Sequence, residues 1–216
     1  MGRVIIVPFR LVAAQGHARK EYAIMLKPLG HELVGHRTGG LVGQLPAERL
    51  VELWPRAASR VVKHGFALEL ADLEPPRTGI FDGLKIVIDP DVGFEMQCFV
   101  LLHLFGHSVQ WTAPALAHQL DALRNATAKD DFMRTLHAYE FEAARFGRQL
   151  LAETGLTGLD AWYADHVETD WRYVERFYQT EVIPPWEECL TQATRLVEPL
   201  AIPELRQQRV EVRYAF

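Results

Sequence analysis

Cys98-Phe99-Val100-Leu101-Leu102-His103-Leu104-Phe105-Gly106-His107-Ser108-Val109-Gln110-Trp111 is an apolar run carrying two histidines four residues apart. Four residues make about one helical turn, so both imidazoles project from one face and can grip one ion. Nine histidines in 216 residues would give about 0.4 such pairs by chance, so spacing alone decides little. Burial decides more. Two imidazoles on an apolar helix need partners, and a Zn2+ ion satisfies both ring nitrogens at once.

Working outward, this helix is expected from about Phe94 to Trp111, closed by Pro114. The next is expected from about Asp131 to Glu153, ending before Gly155. A catalytic zinc takes three protein ligands and keeps one position open. Glu142 is the third ligand by this reading, because Tyr139 and Phe146 flank it at i−3 and i+4 and make its face apolar and inward. Glu140 sits about 200° round the same helix and should look elsewhere.

Upstream, residues 3–9 read as a short β-branched strand and residues 39–43 as a glycine-rich loop. Leu50, Leu53, Ala57 and Val61 recur at helical spacing behind Pro46, with Pro55 expected to bend or split that helix. Residues 66–70 and the run Leu84–Ile88 follow, the latter a buried strand stopped by Asp89-Pro90. Downstream, a helix from about Leu159 to Tyr178 precedes Pro184-Pro185, a fourth helix should come next, and residues 209–216 alternate like a strand. Strands first and helices later predict an α+β fold with a small N-terminal sheet, in a single domain spanning residues 1–216.

From Gly79 to Leu151 the chain resembles the ImmA/IrrE zinc metallopeptidases, a gluzincin-like family. Their pattern is a strand, a loop, a helix bearing His-Glu-x-x-His, and a helix bearing Glu-Ala-x-x-Phe-Ala/Gly. The matching elements are Leu84–Ile88, then Phe99 to His107, then Glu142-Ala143-Ala144-Arg145-Phe146-Gly147, about a third of the chain. The resemblance implies a zincin-like helical core, Zn2+ held by His103, His107 and Glu142, and hydrolysis of a peptide bond in a protein or peptide partner. That partner would be a transcriptional repressor.

One position departs from the pattern. The family's general base is the glutamate directly after the first histidine, and Leu104 stands there. Leucine cannot take a proton from water, and losing a general base costs about 10²–10⁴-fold in rate. The expectation is a metal site with impaired peptidase activity or, alternatively, a catalytically inactive zinc-containing binding or regulatory module. In a metal-free relative the two histidines would simply pack. Glu95, Glu140 and Glu32 are carboxylates available to replace the missing base.

Other features carry less. His31-Glu32-Leu33-Val34-Gly35-His36 has one residue too many, which puts its imidazoles about 140° apart on a helix. His166 and Asp170 share a helical face that could lie near a metal or substrate, although a solvated face with i,i+4 pairs is the simpler account. The glycine-rich loop lacks the Lys-Ser/Thr of a phosphate loop. With 23 basic against 28 acidic residues, the net charge of −5 gives no direct nucleic-acid surface. No apolar run is long enough to cross a bilayer, and two cysteines make no disulfide framework, so the chain reads as cytoplasmic.

Overall fold

A computed structural model describes residues 47–73, 77–113 and 129–207. The expected strands at 3–9 and 209–216, the loop at 39–43, the His31–His36 pair, Glu32 and Pro114 lie outside the described residues. Among those described, the architecture is α+β: four α-helices and a three-stranded sheet.

Helix α1 (Ala47–Lys63) buries Leu50, Leu53, Ala57 and Val61, as their spacing requires. Pro55 does not split it. The proline removes only the hydrogen bond to the carbonyl of Val51, whose side chain is 63% exposed, so that carbonyl lies where water can serve it. The sheet follows: β1 (Ala67–Leu70), β2 (Gly79–Phe81) and β3 (Lys85–Ile88), in the order β1-β3-β2. Central β3 pairs parallel with β1 and antiparallel with β2. Strand β2 is an addition to the elements expected from sequence; three residues are too short for a period-two pattern to register.

Helix α2 (Phe94–Thr112) runs through the middle of the molecule, buried without interruption from Met96 to Gln110. An apolar helix with no polar face can only be a core element. Gln97 ties its start to the preceding loop, donating to the carbonyls of Pro90 (3.0 Å) and Val92 (2.6 Å). Helix α3 (Lys129–Glu153) crosses α2 at close range, and two glycines make the crossing possible. A Cβ on Gly106 would land on the Ala143 carbonyl, and one on Gly147 would meet the Leu102 carbonyl and the Tyr163 hydroxyl. Backbone against backbone leaves no room for a side chain.

Helix α4 (Asp160–Thr180) closes the other side of the site, with Asp165, His166, Thr169 and Asp170 all buried. The expected fourth C-terminal-half helix is replaced by a 3-10 turn, Trp186–Cys189, followed by extended chain. Pro199 and Pro203 deny that stretch helical hydrogen bonds. Instead it straps across the fold: Leu200 N–H donates to the Arg145 carbonyl (3.2 Å), and Arg206 N–H to that of Thr112 (2.7 Å). No helix among the described residues is long and apolar enough to cross a membrane.

Candidate metal centre

His103 and His107 stand on one face of α2, 2% and 0% exposed. Their Nε2 atoms lie 2.9 Å apart. Helix α3 brings a carboxylate to both: Glu140 Oε2 is 3.1 Å from His107 Nε2 and 3.3 Å from His103 Nε2. Three candidate donor atoms thus converge within a few ångströms, and the group His103, His107 and Glu140 can hold one metal ion.

This corrects the third position. Glu142, the ligand expected from sequence, lies outside the cluster; its Oε2 accepts from Gln110 Nε2 at 3.1 Å. Glu140 and Glu142 do diverge around α3, but Glu140 is the one that faces the imidazoles. The reason is the phase of the crossing. Ala143 and Gly147 mark the line on which α3 touches α2, and Glu140 continues it one turn toward the N-terminus, at i−3 and i−7. The aromatics Tyr139 and Phe146 are buried as expected, yet they do not define the face that meets the histidines.

Gln110, which the sequence reading left without a role, orients the site. Its Nε2 is committed to the Tyr139 carbonyl (2.8 Å) and to Glu142. That leaves its Oε1, 2.9 Å from His107 Nδ1, as an acceptor. Gln110 Oε1 therefore accepts from His107 Nδ1–H, which in a metal-bound imidazole would leave the Nε2 lone pair for the ion. A metal-binding histidine is ordinarily held this way by a partner on its other nitrogen. The signal was present in sequence: a glutamine one turn beyond His107 on an otherwise apolar helix, here 1% exposed.

Burial alone would oppose ionisation of Glu140. The charge of His107 and hydrogen bonds from both imidazoles outweigh it and hold the carboxyl well below its ordinary range. The donor set also fits zinc. Two imidazole nitrogens and one carboxylate oxygen are a common catalytic combination, and a tetrahedron with bonds of 2.0–2.1 Å has edges of about 3.3–3.4 Å. The observed separations of 2.9, 3.1 and 3.3 Å need only a small expansion.

The remaining candidates are placed as follows. Leu104 is fully buried and points to the sheet, where its Cδ1 crowds Gly79 of β2. Glu95 accepts from Trp162 Nε1 at 2.8 Å and so serves another contact. His166 is buried against Phe99 and Trp162, with Nδ1 2.9 Å from the Trp162 carbonyl. Burial lowers its pKa, opposed by that hydrogen bond and by the charges of Glu95, Asp165 and Asp170. Asp170 Oδ2 lies 4.0 Å from His103 Nε2. A small cleft of about 20 Å³, room for about one water, opens between His103, Glu140 and Asp170, walled by His137, Phe141 and Trp171. Compared with known proteins, the chain matches no family model, no curated protein and no solved structure.

Proposed function

We propose that this is a cytoplasmic zinc-binding protein of metallopeptidase-like type, with His103, His107 and Glu140 holding the ion. The observation that carries this reading is the convergence of three donor atoms at 2.9, 3.1 and 3.3 Å on a buried His-x-x-x-His helix. The small sheet, the metal-bearing helix and the crossing helix support a zincin-like core. When bound, zinc would act as a Lewis acid and make water a stronger acid.

The chain's own residues set the rest. His107 is oriented by Gln110, Glu140 offsets the positive charge, and the cleft beside His103 and Asp170 gives a water access to the site. The substrate class is a peptide bond in a protein or peptide partner, with a transcriptional repressor as the partner implied by family resemblance. Activity is impaired because the base position is occupied by buried Leu104. That burial also favours a second reading, a catalytically inactive zinc-containing binding or regulatory module.

The deciding experiment is metal analysis of protein purified without added zinc, followed by peptide-hydrolysis assays of the loaded protein. About one zinc per chain, abolished by His107→Ala, supports the metal reading; none in the correctly folded protein would sink it. Hydrolysis above the free-zinc background separates enzyme from module.

A further inference from the structure

Given the zinc site just described, the cleft beside His103 and Glu140 decides which carboxylate can take the role that Leu104 leaves open. Glu95, Glu142 and Asp165 do not line it, and Glu168, which does, is exposed. Asp170 lines it too, comes from α4, an element outside the two metal-bearing helices, and is only 9% exposed.

Its distance is informative. Asp170 Oδ2 is 4.0 Å from His103 Nε2, and Asp170 is not among the residues whose ligand atoms all lie within 4.8 Å of one another. Ligands of one tetrahedral zinc sit about 3.3–3.4 Å apart, so Asp170 lies beyond the inner shell. A carboxylate that hydrogen-bonds a water or ligand atom in the fourth position lies one hydrogen bond farther out, about 2.6–3.0 Å from that atom. The cleft has room for such an occupant.

We propose that Asp170 faces the open coordination position and accepts a hydrogen bond from whatever occupies it, taking from α4 the role that Leu104 vacates on α2. In a hydrolysis this is the general-base position. Asp170 takes one proton from the attacking water, the water oxygen bonds to the carbonyl carbon, and the C–N bond breaks. The proton then returns to the leaving amine, so one water is added across the bond and no redox partner is needed.

The test is made on the full chain loaded with Co2+, whose visible spectrum reports both metal uptake and ligand exchange. Acetohydroxamate, which binds metal and donates a hydrogen bond, is titrated into wild type, Asp170→Asn and Asp170→Ser, with circular dichroism verifying the fold of each. Wild type should show a spectral change. Both variants should keep Co2+ affinity within about threefold while binding acetohydroxamate at least about tenfold more weakly.

Co2+ affinity falling as far as in Glu140→Gln would overturn the proposal by making Asp170 a direct ligand. Unchanged acetohydroxamate affinity would overturn it by removing Asp170 from the open position. A wild-type spectrum that takes up Co2+ but ignores acetohydroxamate overturns this inference and leaves the metal site standing. Failure of wild type to bind Zn2+ or Co2+ overturns the metal reading and this inference with it. Should one variant misfold, the other carries the comparison with wild type.

Discussion

The Nε2 atoms of His103 and His107 are 2.9 Å apart, and Glu140 Oε2 lies 3.1 Å from the second of them. Two nitrogen lone pairs would repel at that distance in a buried site, so either one ring turns an N–H toward the other or a cation lies against both. The arrangement gives buried imidazoles a reason to exist in an apolar helix.

The two glutamates of α3 should behave differently on mutation. Glu140→Gln removes a charged ligand and should weaken zinc binding by more than about 100-fold. Glu142→Gln acts through Gln110 and should cost no more than the about 10–100-fold typical of groups behind the ligands. Competition against a chelator of known affinity measures both. A larger loss in Glu142→Gln would restore it as the ligand.

Gly106→Ala should destabilise the fold, because the added methyl would strike the Ala143 carbonyl and neither helix backbone can move aside cheaply. Overpacking of this kind costs about 1–3 kcal/mol. Chemical denaturation measures it, and zinc affinity should fall in parallel as α2 and α3 are forced apart. An unchanged midpoint would show that the crossing has room for a methyl group.

Leu104→Glu tests whether the vacated base position still tolerates a carboxylate. Leu104 is fully buried against the sheet at Gly79, so the substitution loses apolar contact and buries a charge. A loss of about 3 kcal/mol, on the order of 6–12 °C in Tm, is expected in zinc-free protein. Zinc should recover part of it if the new carboxylate turns toward the ion. A gain in hydrolysis by the folded, loaded variant would identify Leu104 as the cause of impairment. Wild-type hydrolysis that Leu104→Glu fails to raise would contradict that.

His166 makes zinc-free protein acid-sensitive. Its folded pKa lies below the ordinary 6.5 because burial disfavours the imidazolium. Below 6.5 the unfolded chain therefore binds more protons than the folded one, and stability falls as pH falls toward the folded value. Above 6.5 this contribution is complete. The slope reaches at most about 1.4 kcal/mol per pH unit for one proton. His166→Phe retains an aromatic ring against Phe99 and Trp162 and should flatten the profile below pH 6.5 relative to wild type. Denaturation midpoints across that range provide the comparison, and identical slopes would refute it.

Local chemistry determined a good part of this protein. Apolar spacing fixed α1 from Leu50 to Val61, and the apolar run around His103 and His107 fixed α2 as a core helix. The four-residue spacing placed both imidazoles on one face, since one helical turn needs no tertiary information. The histidine pair was therefore legible from sequence.

The third member of the cluster was not. Glu140 and Glu142 lie on the same helix two residues apart, and choosing between them requires the rotation of α3 against α2. That rotation is set by backbone contact at Gly106, Ala143 and Gly147, a relationship between segments far apart in the chain. Flanking aromatics misled because α3 is buried on more than one side, against α2, α1 and α4. Pro55 likewise suggested a break, but the exposure of Val51 made an uninterrupted helix tolerable. Asp170 is a further case: its residue spacing put it on one face with His166, but its place 4.0 Å from His103 depends on how α4 packs across the end of the site. Sequence fixes what each helix can offer, and packing decides which offers meet.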